Sequence, residues 1–129
     1  MGSRVRFSCY CYPSREWERS ADHHYFWRDY NPAKRRVVTA LFGSQIIQLR
    51  LVPVDASSMV IYAAIMAGNE DVTDPHKICV EVKQRSMPQS GHITARASPG
   101  NIEEVLNEGD GFLVTRLNPY EELMVRVTP

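Results

Sequence analysis

Four consecutive side chains, Asp22-His23-His24-Tyr25, carry the densest acid–base chemistry in this 129-residue chain. An imidazole titrates near neutrality and moves protons, a carboxylate beside it orients the ring, and a phenol donates a hydrogen bond. Walled by Trp17, Phe26 and Trp27 at the mouth of an apolar barrel, such a set suits a small metal-independent enzyme of the isomerase, cyclase or hydratase type. His92 is a further acid–base candidate for that enzyme. Adjacency in sequence does not bring Asp22 against either imidazole, and a solvated loop is the plainer reading.

Cys9-x-Cys11 with His23-His24 is the one cluster of soft ligands. Structural zinc sites favour C-x₂-C and H-x₃₋₅-H spacings, and this pattern has neither. Three cysteines, Cys9, Cys11 and Cys79, form an odd set that reads as free thiols in a reduced, intracellular setting. Cys79 faces outward on an alternating strand, two residues after Lys77. No P-loop, dinucleotide-binding, nucleophile-elbow or HExxH pattern occurs. No metal and no cofactor are therefore expected. Glu108-Gly109-Asp110-Gly111-Phe112 resembles the second motif of cupins, where a Gly-Asp turn leads into a strand and then to a Pro and a His ligand. Asn118-Pro119 stands near the place of that Pro, but Tyr120 to Val127 contain no His. The paired His and Glu of the first cupin motif are also missing around His76 to Gln84. With those ligands missing, a metal-dependent cupin enzyme is not expected; locally, Gly109 and Gly111 allow φ > 0 and Asp110 caps the turn.

Charge and aromatic residues are unevenly spread. Fifteen basic and fifteen acidic residues cancel, yet residues 1–36 hold eight basic and four acidic side chains, and the rest hold seven and eleven. Eight of the twelve aromatic residues lie in the same first 36 positions. These aromatics can serve as core for a β domain, with Arg stacked on them. They can equally form a partner surface from Trp17, Tyr25, Trp27, Tyr30, Arg15, Arg19 and Arg28, since aromatic and Arg side chains dominate interface hot spots. The leading expectation is a non-catalytic binding and assembly module. It would self-associate or take a protein or small apolar ligand, the basic third of one subunit meeting the acidic remainder of another. The enzyme is the alternative. Single-stranded nucleic acid binding, by aromatic platforms interleaved with Arg, is a third.

The elements that must position these groups are strands. Hydrophobic residues make up 43% and charged residues 23%, an ordinary globular balance for a single domain over 1–129. The longest apolar run, Met59 to Ala67, is too short to span a bilayer, and residues 1–15 hold no continuous apolar core of a signal peptide. A soluble cytoplasmic protein with no membrane partner is expected. Arg4 to Tyr12 alternates, with Val5, Phe7, Cys9 and Cys11 on one face. Arg36–Phe42, Gln45–Val54, Lys77–Lys83, His92–Ala97, Phe112–Leu117 and Leu123–Val127 read as strands. Pro53 belongs at a strand end or edge. Ser58–Ala67 is ambiguous between a central strand and a buried helix. Residues 14–30 and 102–107 are the places where a short helix fits. The expected fold is all-β, or β-rich α+β: an antiparallel sandwich or barrel of about eight strands with one or two short helices. Residues 13–35 form an aromatic and basic excursion on or beside the core.

Overall fold

The computed structural model describes residues 24–42, 45–66, 76–85, 87–97, 106 and 111–128. They form eight strands: β1 His24–Trp27, β2 Arg36–Phe42, β3 Gln45–Asp55, β4 Ser58–Ile65, β5 His76–Lys83, β6 Gln89–Ala97, β7 Phe112–Val114 and β8 Leu123–Thr128. The order around the sheet is β1-β8-β5-β6-β4-β3-β2, with β7 on β4. The sheet curls into a nearly closed barrel, the all-β architecture that the alternating segments call for. All ladders are antiparallel except that between β4 and β6, where Ala64 opposes Arg96 and Ile65 opposes Ala97.

Period-two alternation decides what fills the barrel. Ile47, Leu49 and Leu51 of β3, Ile78, Val80 and Val82 of β5, and Leu123, Val125 and Val127 of β8 all join one buried cluster. Ile61, Ala63 and Ile65 of β4 and Ile93 and Ala95 of β6 complete it. Each such side chain contributes about 1.5–3 kcal/mol when taken out of water, so the interior is a packed core. The ambiguous run at Ser58–Ala67 is a strand. It is central, flanked by β3 on one side and by β6 and β7 on the other; Met59, Ile61, Ala63 and Ile65 are buried on one face, and Val60 and Tyr62 on the other are half-buried against Gly111. Across β5 and β8, outward Glu81 stands opposite Arg126, and the two pair at 3.7 Å. Opposite charges in register favour this pairing over a slipped one.

Helix is confined, among the described residues, to the single position Leu106, which is buried. The C-terminal end of the 14–30 stretch offered for a helix is strand β1, and His24–Trp27 is an edge strand of the barrel rather than an excursion beside it. Aromatic side chains suit a pleated, half-buried surface, and here Tyr25 and Trp27 pack partly buried against the core cluster while Phe26, on the opposite face of the strand, is buried as well. Expected strand ends shift by a few residues elsewhere. The strand expected at Phe112–Leu117 stops at Val114, and β6 begins at Gln89, so that His92 lies within it. Arg4–Tyr12 falls outside the described residues.

Pro53 sits near the C-terminal end of β3, at a register irregularity between Pro53 and Asp55. There the Asp55 carboxylate accepts the Ser57 N–H at 2.9 Å and the Ser58 hydroxyl at 2.7 Å, which turns the chain into β4. At the same end of the barrel, where the Leu117 N–H donates to the Ser57 carbonyl at 2.8 Å, two glutamine carboxamides stand in for missing backbone. Gln84 accepts the Asn118 N–H at 2.6 Å and donates to the Asn118 carbonyl at 2.9 Å. Gln89 accepts the Thr115 N–H at 3.3 Å and donates to the Thr115 carbonyl. A carboxamide has the donor and acceptor of a peptide group, so each side chain pairs as one more strand residue would. β7 meets β6 through Phe112, whose ring covers Gly91 so closely that a Cβ there would lie 2.6 Å from it.

Candidate functional site

Among the described residues the barrel has one incomplete seam. β1 and β2 end the strand order, and no backbone ladder joins them. Two-fold alternation of hydrogen bonding along β2 turns every second peptide toward β3 and the others toward this seam. Thr39 belongs to the second set, because its carbonyl accepts a hydrogen bond from the Tyr25 hydroxyl of β1. Val37, two residues back, shares that orientation and is 50% exposed.

Arg36 opens β2 and lies against β1 from the other strand. Its guanidinium carbon is 5.2 Å from the centre of the Trp27 ring and 5.9 Å from that of Tyr30. Both distances fall within cation–π range. The Arg36 Nε is buried without a hydrogen-bond partner, so ring faces supply its stabilising environment. Tyr30 follows β1 and is only 2% exposed. Its N–H donates to the Glu121 carbonyl at 3.0 Å, and its carbonyl accepts from Tyr120 at 2.7 Å. Its hydroxyl reaches only the Met59 sulfur, at 3.9 Å. Burial raises the Tyr30 pKa above the usual phenol value, and the Arg36 charge offsets part of that rise. Between the strands, Asn31-Pro32-Ala33-Lys34 makes a turn. Lys34 N–H donates to the Asn31 carbonyl at 3.1 Å and Ala33 N–H to the Asn31 side chain at 2.9 Å. Pro presets the dihedral that such a turn needs. Arg28, Lys34 and Arg35 project from this connection and are exposed, as is Asp29.

The partner residues expected from sequence therefore divide. Tyr25 and Trp27 are half-buried on the seam, Arg28 is exposed beside it, and Tyr30 belongs to the core. Trp17, Arg15, Arg19, Asp22, His23, Cys9 and Cys11 lie outside the described residues. His24 is in β1, and the Tyr25 hydroxyl is engaged by Thr39. His76 and His92 are exposed on β5 and β6, and the Cys79 thiol is free and half-buried on the outer face of β5. Arg36 and Thr39 complete the seam and were not singled out by sequence. The one signal for Arg36 was its place at the end of the basic run Lys34-Arg35-Arg36. Among the described residues, no group of three or more His, Cys, Asp or Glu side chains could hold a metal ion, and no helix is long and apolar enough to cross a membrane. No protein-family model matches the chain, and no curated protein is similar to it in sequence.

Proposed function

We propose that this barrel is a non-catalytic binding and assembly module that associates with a second copy of itself through the β1–β2 seam. The observation that carries the reading is the seam itself. It is bridged by the Tyr25 hydroxyl on Thr39 and by Arg36 on two aromatic rings, with no ladder between the strands. Val37 is exposed on the outer face of β2, and Arg28, Lys34 and Arg35 are exposed on the connection between β1 and β2. An exposed apolar side chain with Arg near it in the chain is the kind of surface from which an interface is built. The charge split supplies the complement, since positions 37–129 carry seven basic against eleven acidic residues. An enclosed acid–base site finds less support, because the interior is filled by aliphatic side chains.

The test is native mass spectrometry with light scattering on the full chain. A closed oligomer that Val37→Lys converts to monomer supports the proposal, because Val37 is a surface position whose change leaves the core intact and Lys is a known deterrent to edge association. Association should weaken as salt rises from low to physiological ionic strength. A monomer for the unmodified chain at micromolar concentration overturns it, as does an oligomer indifferent to Val37→Lys.

A further inference from the structure

The β5–β6 connection and the segment after β7 border an open cleft of about 370 Å³, lined by Met87, Pro88, Gln89, Thr115 and Arg116. Its position is built by the two glutamine clamps. Gln84 and Gln89 hold Asn118 and Thr115 on either side of Arg116. Arg116 itself has φ 60°, in the left-handed region that a side chain with a Cβ occupies at a cost. Tyr120, four residues on, is at φ 65°. That second position has a local reason, since its N–H donates to the Tyr30 carbonyl at 2.7 Å. Arg116 has no such bond among the described residues, and its side chain forms no ion pair among them. Arg85, next to the Gln84 clamp, is likewise an exposed cation with no ion pair among the described residues.

We infer that this cleft is a binding site for a carboxylate with a short apolar body, anchored by Arg116. A guanidinium offers two parallel N–H donors that match a planar carboxylate. Met87 and Pro88 supply apolar contact on one side of a mainly polar lining, and the Gln89 carboxamide is engaged by Thr115. Arg85 adds positive potential at the same end of the barrel. The volume fits a small organic acid or the last residue of a peptide, since ligand clefts start at about 300 Å³. This site is separate from the β1–β2 seam and stands whether or not the chain self-associates.

The experiment is titration of the isotope-labelled full chain with butyrate, with sodium chloride matched for ionic strength, followed by amide chemical shifts. Saturable shifts at Met87, Gln89, Thr115 and Arg116 are expected with butyrate and not with chloride. Arg116→Gln should weaken binding by about tenfold or more, since it removes the bidentate, charge-assisted pair of hydrogen bonds. Arg116→Gly should lose binding equally while melting at a higher temperature, because glycine relieves the left-handed backbone. That opposite movement of affinity and stability is what a purely structural arginine would not show. A short peptide with a free C-terminus binding more tightly than butyrate, and its amidated form not binding, would assign the carboxylate to a chain terminus. Equal affinity for the peptide and butyrate would assign it to a small acid. Absence of saturable shifts, equal shifts with chloride, tighter binding of inorganic phosphate, or binding unaffected by Arg116→Gln would each overturn the inference.

Discussion

Tyr30 shows how one side chain couples packing to ionisation. Its ring is core, its backbone ties β1 to the turn before β8, and its hydroxyl has only a sulfur for a partner. Burial favours the neutral phenol, so the folded pKa is raised and the unfolded chain ionises first. The stability from the neutral form is complete below the ordinary phenol value of about 10 and is lost as pH rises through the higher folded value. Tyr30→Phe should flatten this alkaline loss in urea titrations, at a cost near neutrality below about 1 kcal/mol because the bond removed is weak. Asp55 works in the opposite sense. Hydrogen bonds from Ser58 and Ser57 lower its pKa. Its contribution is present above the ordinary carboxylate value of about 4 and is lost as pH falls through the lower folded value. Asp55→Ala should remove that part of the acid dependence of the melting temperature and leave the neutral-to-alkaline limb unchanged.

At the scale of elements, β7 and the segment after it are attached by side chains that copy backbone. Gln84 is 1% exposed, so losing its carboxamide strands a buried peptide group. Gln84→Leu should destabilise by about 2–4 kcal/mol, the cost of leaving the Asn118 N–H and carbonyl unpaired. Gln84→Glu keeps the length but offers only acceptors, so it should lose the bond to the Asn118 carbonyl as well. Gly91 is the matching steric element. Its missing Cβ makes room for the Phe112 ring. Gly91→Ala should cost about 1–3 kcal/mol by forcing that ring aside, and Gly91→Ala with Phe112→Leu should recover part of it. Equilibrium urea unfolding of the two single variants and the pair measures this coupling directly.

For the molecule as a whole, the seam sets where the barrel opens first. Ladders hold β5, β6 and β8 on both edges, whereas β1 and β2 each have one ladder neighbour among the described residues. Amide hydrogen exchange should therefore be fastest in β1 and in β2, with β5 exchanging only through global unfolding. Tyr25→Phe removes the hydroxyl contact to Thr39 and should speed exchange across β1 and at Val37 and Thr39 without changing β5. If the seam is also the contact between two copies, raising the protein concentration should slow exchange at those same amides and nowhere in β5.

Much of this barrel is determined by the sequence alone, and the rest is not, for reasons that differ by residue. Inward and outward faces of β3, β5 and β8 follow from alternation, because a strand's side chains have period two whatever its neighbours. The Asp55 turn and the β2 boundary before Gly43 follow from local backbone chemistry. Ser58–Ile65 was undecided because a segment apolar on both faces shows no period, and only its place between β3 and β6 makes it a strand. His24–Trp27 was misplaced because four residues are too few to display alternation. Of the candidate seam, Tyr25 and Trp27 stand out in the sequence as aromatic residues, and Tyr30, from the same aromatic set, is part of the core cluster. Arg36 and Thr39 gained their roles from strand order, which brings the two ends of the sheet together. The glutamine clamps lie 34 and 26 residues from their partners. No local rule marks a glutamine as a stand-in for backbone, so their pairing, and the arginine cleft it shapes, were decided by the tertiary structure, which leaves those peptide groups needing a partner that no strand supplies.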